Sequence, residues 1–220
     1  MEKRNSREDL IAALTEDLTP VRRVTARDGV VIIAFAAVLV AALCAAIFGF
    51  WFGMLEGEAS PFFWITNGLL ALTGAASTGA LAAMGVPRIA PKTSAPFWSA
   101  AMLGILPLTA IITFLTLEAG HEHAADLMNP TMMDWKCAAA SLAAGFAVSI
   151  GAVIYLRRSA PVSLQRAGWL TGIASGSLGA LSYGITCPVD DIAHLGLYHV
   201  GPVALAAILS RYAVPALIRW

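Results

Sequence analysis

Apolar residues in this chain run in continuous blocks separated by short polar connections, and do not alternate with polar ones. Six blocks, at about 29–53, 62–85, 97–117, 137–156, 167–186 and 195–218, are each long enough to cross a bilayer as a helix, which takes roughly 20 residues. Membrane strands would alternate apolar and polar positions, so the continuous runs predict helices. The first block is too long for a cleavable signal sequence, whose apolar part spans about 7–15 residues. A lipoprotein reading at Cys44 fails as well, because Leu43 stands where a small residue is required. The first block is therefore read as a retained span.

Lysine and arginine set the orientation, because they concentrate in cytoplasmic connections. The segment before the first span holds Lys3, Arg4, Arg7, Arg22, Arg23 and Arg27. Arg88 and Lys92 follow the second span, Arg157, Arg158 and Arg166 follow the fourth, and Arg211 and Arg219 lie at the end. Only Lys136 falls in an alternate connection, so thirteen of fourteen positive charges lie on one side. That side, with both termini, is read as cytoplasmic. The predicted fold is all-α: a polytopic protein of the bacterial inner membrane, a six-transmembrane-helix bundle (29–220) behind a cytoplasmic tail (1–28) with a short amphipathic helix. The six tryptophans each sit near one end of a different span, as an interfacial aromatic belt requires.

Composition agrees with this class: 58% of residues are hydrophobic and 13% are charged, against about 25% charged in soluble domains. The net charge is zero, which gives no reason to expect direct nucleic-acid binding. The spans hold almost nothing ionisable apart from His199, which argues against a pump or coupled transporter. Two stripes of small residues recur every four positions: Gly168, Gly172, Gly176, Ala180 and Gly184, and Ala71, Ala75, Gly79 and Ala83. Such stripes let helix backbones approach closely, either inside one bundle or across a homodimer. Pro107, Pro202 and Pro215 are expected to kink their helices.

In the tail, Ser6 with Asp9 three residues on resembles a helix start. A helix from about 7 to 18, stopped by Pro20, would gather Leu10, Ile11, Leu14 and Leu18 in an arc of roughly 100°. Glu8, Asp9 and Glu16 lie opposite, with Asp17 at the margin. Helices that rest on anionic lipid carry basic residues on the polar face. These acids would be repelled there, so a groove on a basic protein suits the helix better. The other reading is that it folds back on the inner loops. Arg22, Arg23 and Arg27 are placed to meet lipid headgroups.

On the outer side, Cys137 opens the fourth span and Cys187 closes the fifth, at similar depth on antiparallel neighbours. Cys187 precedes Pro188, which suits the first position of a helix whose N-terminus would favour the thiolate. Asp190 and Asp191 would oppose this, and Lys136 would favour the Cys137 thiolate. His121, His123, His194 and His199 lie on or near the same side. Three outcomes stay open: a redox-active or structural disulfide in an oxidising compartment, capture of an electrophile or thiophilic metal by Cys137, Cys187, His194 and His199, or two unpaired thiols. Cys44 is read as a small apolar residue of the first span.

Asp9-Leu10-Ile11, Leu14, Asp17-Leu18 and Pro20-Val21-Arg22-Arg23 resemble the start of the NrsF family of membrane anti-sigma factors, the negative regulators of sigma F. Cys187-Pro188 with Asp190, and Ile218-Arg219-Trp220, resemble that family's last part. The resemblance implies a non-enzymatic regulator that holds an extracytoplasmic-function sigma factor at the membrane and releases it on an outside stress. It implies that Asp9, Leu10, Ile11, Leu14, Glu16, Asp17, Leu18, Pro20, Val21, Arg22 and Arg23 contact the sigma factor, and that Cys137 and Cys187 sense the signal. No resident cofactor is implied beyond a transient metal or disulfide. Two other classes remain: a membrane thiol oxidoreductase using the cysteines catalytically, which the missing CxxC disfavours, and a small transporter or metal exporter.

Overall fold

The computed structural model of the chain describes residues 2–16, 23–86, 94–116 and 131–219, and the structural statements below concern these. Among them there is no strand. The helices are α1 (Glu2–Glu16), α2 (Ala26–Phe48), a short α3 (Gly53–Glu56), α4 (Pro61–Met84), α5 (Ala95–Thr116), α6 (Met132–Arg157), α7 (Leu164–Gly184), a short α8 (Ile192–His194), a π-helical turn (Leu195–Val200) and α9 (Gly201–Ile218). Three segments are long and apolar enough to cross a membrane: Ala26–Phe48, Met132–Arg157 and Ile192–Ile218.

Each predicted block overlaps a long helix, with shifted ends. The first stops at Phe48 rather than near 53, because Gly49 takes φ +85°, which a helix cannot continue. α2 and α6 start earlier than predicted, on capping boxes the apolar pattern did not register: Thr25 with Asp28, and Thr131 with Asp134. Ser60 and Ser163 cap α4 and α7 in the simpler way, and Pro61 opens α4.

α7 is the central helix and packs against α9, α6, α4 and α2. From Leu170 to Cys187 no residue on it or just beyond it is exposed. This explains why α7 is less apolar than a lipid-facing span: its surface meets other helices, and its Gly, Ala, Ser and Thr residues serve close approach. A Cβ on Gly168 would lie 2.7 Å from the Ser210 carbonyl oxygen, one on Gly172 2.5 Å from that of Ala206, and one on Gly176 3.1 Å from Val203 Cα. Gly168, Gly172 and Gly176 therefore pack on α9 within the chain, while Gly184 at the end of the stripe faces Asn67 of α4. On another side, a Cβ at Gly179 would overlap the Gly145 backbone of α6.

The second predicted stripe does not pack this way. Ala75 and Gly79 are exposed, and Ala71 and Ala83 are half-buried. α4 buries instead the face with Leu70, Thr73, Gly74, Ser77 and Leu81, where Gly74 makes room for Leu178. The reason is register: α4 must present its hydroxyls and Leu70 inward to meet α7, which turns the Ala/Gly row outward.

Of the three prolines, Pro107 and Pro215 lie inside α5 and α9, while Pro202 stands in the first turn of α9. Its effect falls on the residues before it. Lacking an N–H, it cannot bond the carbonyl four residues back, and the chain there widens into the π turn.

α1 begins at Glu2, so Ser6 lies inside the helix and is not its cap. Every residue from Arg7 to Glu16 is exposed, including Leu10, Ile11 and Leu14 at 59%, 60% and 64%. The apolar face is thus not folded back on the bundle. Asp17, Leu18, Pro20, Val21 and Arg22 lie outside the described residues, as do His121 and His123.

Candidate functional site

Two ends of the bundle are distinguished by what closes them. At the end where α2 begins, the buried Tyr155 hydroxyl donates to the Ala82 carbonyl at 2.7 Å and Arg157 Nε donates to the Leu217 carbonyl at 2.8 Å. At the opposite end, where α6 begins and α7 stops, Cys137 and Cys187 meet.

The site is assembled from three local devices. First, Thr131 caps α6: its Oγ1 accepts from the Asp134 N–H at 3.3 Å, and Asp134 Oδ2 accepts from the Thr131 N–H at 2.7 Å. Cys137 follows three residues after Asp134, which brings both to one helix face. Second, α7 ends at Gly184 and tightens, with the Thr186 N–H donating to the Tyr183 carbonyl at 2.9 Å and the Cys187 N–H to the Gly184 carbonyl at 3.3 Å. This turns Cys187 back under Tyr183. Third, the segment after Cys187 is tied down twice. Asp190 Oδ2 accepts from the Ser60 N–H at 2.6 Å, and Asp191 Oδ1 caps α8 by accepting from the N–H groups of Ala193 and His194 at 2.9 Å.

The π turn then does geometric work. On an α-helix, residues five apart point about 140° from one another, at 3.6 residues per turn. The wider π turn lowers that angle to roughly 50°. His194, just before the turn, and His199, within it, therefore face the same centre, with ring centroids 5.3 Å apart. Gly196 permits the turn to press on α5, where a Cβ would sit 3.1 Å from the Leu106 carbonyl oxygen.

The result is a buried cluster of Cys137, Cys187, His194 and His199, whose ligand atoms all lie within 4.8 Å of one another. The two sulfurs are 3.6 Å apart and not bonded. Cys187 Sγ is 3.5 Å from His194 Nε2, and Cys137 Sγ is 3.4 Å from the Tyr183 hydroxyl. His194 Nδ1 lies 2.7 Å from Asp134 Oδ1. The Asp134 carboxylate thus does two things: one oxygen caps α6 and the other fixes the His194 ring. Cys187 holds its proton more tightly than a free thiol, because its contact with Cys137 and its withdrawal from water both disfavour the thiolate.

Sequence reasoning named all four members of this cluster, and two of its local inferences need correction. Pro188 does not open a helix: residues 187–191 are irregular, and α8 starts only after Asp191. No helix N-terminus therefore acts on Cys187. Lys136 is exposed, on a different side of α6 from Cys137. It lines an apolar cavity of about 890 Å³ with Phe48, Trp51, Met133, Tyr183 and Pro188. Asp134 and Tyr183 were missed. The Thr131-x-x-Asp134 capping pattern was a readable signal for the first; Tyr183, four residues before Cys187, carried none specific enough. Cys44 is buried in α2 among apolar neighbours, as predicted, and takes no part.

Two buried thiols and two imidazoles, one of them oriented by a carboxylate, can share protons, close a disulfide after moving together by about 1.5 Å, or ligate a soft ion. Among known proteins, a family model described as "Negative regulator of sigma F" (NrsF) matches residues 14–220, which includes the whole cluster. No curated protein and no solved structure matches the chain.

Proposed function

The chain belongs to the NrsF family of negative regulators of sigma F, and from that premise we propose that it is an inner-membrane anti-sigma factor that holds an extracytoplasmic-function sigma factor and releases it when the outer cluster changes state. The observation that carries the reading is α1. Leu10, Ile11 and Leu14 form an apolar face left exposed, on a helix that carries Glu8, Asp9 and Glu16 away from that face and Lys3, Arg4 and Arg7 in line with it toward the N-terminus. An exposed apolar stripe on a charged helix fits a groove on a partner protein, and the acids opposite it can pair with basic residues of a sigma factor. In this proposal Asp9, Leu10, Ile11, Leu14 and Glu16, continued by Asp17, Leu18, Pro20, Val21, Arg22 and Arg23, compete with core polymerase for that groove.

We take α4, α5 and α7 as spans beside the three more apolar ones, giving six. Several features support this. Ser60 before α4 meets Asp190 at one end of the bundle, Tyr155 and Arg157 of α6 bond α4 and α9 at the other, and the lysine and arginine pattern favours a cytoplasmic α1 end. The signal would then act at the outer end, and α6, about 39 Å long at 1.5 Å per residue, would carry it inward with its partner α7. A change that reversed a 99:1 preference for the holding state would have to favour the other by about 5.5 kcal/mol. Burial of both thiols, at 0% and 1% exposure, supports regulation over turnover with a protein substrate.

The test is co-purification from native membranes with full-length protein and with a Leu10→Asp/Leu14→Asp variant. A sigma factor retained by the first and lost by the second is the expected result. No sigma factor with either bait, both folded and in the membrane, would sink the proposal.

A further inference from the structure

The geometry points to Cys137, Cys187, His194 and His199 as a closed tetrahedral site for a divalent d10 ion of the zinc type, with Asp134 as the positioning carboxylate behind His194.

Three independent observations lead there. Zinc–sulfur distances of about 2.3 Å and zinc–nitrogen distances of about 2.0–2.1 Å give a regular tetrahedron edges of about 3.8 Å between sulfurs and about 3.5 Å between sulfur and nitrogen. The structure has 3.6 Å between the sulfurs and 3.5 Å from Cys187 Sγ to His194 Nε2. Two of the six donor–donor spacings therefore already match those the ion would impose, and all six lie within 4.8 Å.

The second observation is His199. It is 1% exposed, and neither ring nitrogen has a hydrogen-bond partner. An imidazole buried without a well-formed hydrogen bond is costly, and here it stands among the other three ligand atoms. An ion at the centre would satisfy it.

The third is the Asp134–His194 pair. The 2.7 Å contact to Nδ1 leaves Nε2 directed at the sulfurs. A carboxylate behind the far nitrogen fixes the tautomer that ligates through Nε2 and makes the ring a better donor. Asp134 is itself anchored by the Thr131 cap, so the orientation is built into the start of α6.

Charge selects the ion. Two thiolates and two neutral imidazoles carry −2, which a divalent ion cancels; a monovalent ion would leave a net negative charge on the four buried donors. Four N and S donors in a closed shell suit a structural or regulatory zinc-type site, without an open position for catalysis. Binding M²⁺ releases two protons, one from each thiol, to water. It would also pin α6, the end of α7 and the π turn to a single point.

The site rests on geometry alone, and only its use as a release trigger rests on the anti-sigma reading. The experiment separates the two. Full-length protein, reduced and metal-free in nanodiscs, is titrated with Zn²⁺, and the loaded protein is examined by X-ray absorption. One equivalent with two sulfurs and two imidazoles in the first shell is expected. A first shell of sulfur alone, or one with oxygen replacing imidazole, overturns the site without relying on any variant. His199→Gln should weaken binding by at least about 100-fold, and Asp134→Asn by about 10–100-fold with four donors retained. Unchanged affinity in folded His199→Gln also overturns it. Sigma-factor retention on the loaded and metal-free protein is then compared. A loss of retention on loading supports the trigger, while unchanged retention on a fully loaded site overturns the trigger and leaves the site standing.

Discussion

Replacing Asp134 by alanine removes two interactions at once, and their sizes can be separated. Asp134 Oδ2 accepts from the Thr131 N–H at 2.7 Å, a share of the α6 cap worth about 1 kcal/mol. Asp134 Oδ1 meets His194 Nδ1 at 2.7 Å; His194 is 3% exposed and Asp134 16%. Leaving that N–H without an acceptor costs about 1–3 kcal/mol, toward the lower end because some water reaches the carboxylate. Asp134→Ala should therefore lose about 2–3 kcal/mol, and Thr131→Ala only about 1 kcal/mol. Pairing Asp134→Ala with His194→Leu closes a double-mutant cycle with an expected coupling of about 1–2 kcal/mol. The assay is unfolding of reduced, metal-free protein in mixed micelles by added SDS, followed by tryptophan fluorescence. Trp135, whose ring centroid lies 6.5 Å from that of Tyr198 beside the cluster, contributes to a signal that the other five tryptophans share. A coupling within about 0.5 kcal/mol of zero would refute the reasoning, as would an Asp134→Ala cost no greater than that of Thr131→Ala.

Three further outcomes follow from the packing. Gly172→Val should destabilise by about 3 kcal/mol or more in the same assay, because its Cβ meets the Ala206–Ala207 backbone, which cannot rotate away; a cost below about 1 kcal/mol would contradict the close α7–α9 contact. Tyr155→Phe should cost about 1–2 kcal/mol, since the hydroxyl satisfies the Ala82 carbonyl in the last turn of α4, and an unchanged midpoint would show water replacing it. Mild oxidation of metal-free protein should join Cys137 to Cys187, read by peptide mass, at the same rate in Cys44→Ser; a disulfide to Cys44 would contradict the placement of that residue.

Much was legible in the order of residues because membrane insertion imposes simple constraints. Runs of about 20 apolar residues must be helical, since lipid offers the backbone no hydrogen-bond partners. The Gly168–Gly184 spacing announced close packing, because only small residues let two helix backbones meet. Cys137 and Cys187 could be placed together from topology alone, as ends of antiparallel neighbours. What periodicity could not supply was rotation: the Ala71–Ala83 row looks equally suited to packing, yet α4 turns it outward to bury Leu70 and Ser77.

The residue order by itself determined the helical class, the six apolar segments, the charge asymmetry and a charged tail helix bearing Leu10, Ile11 and Leu14, all of which depend on local composition and a fixed helical period. Tertiary structure alone decided that the four donors converge. That convergence needs the Thr131–Asp134 cap, the turn after Gly184 and the π turn before Pro202, which together bring residues 137, 187, 194 and 199 within 4.8 Å. No local pattern encodes such a distance, because it is set by how three separate chain segments are held against α4, α5 and one another.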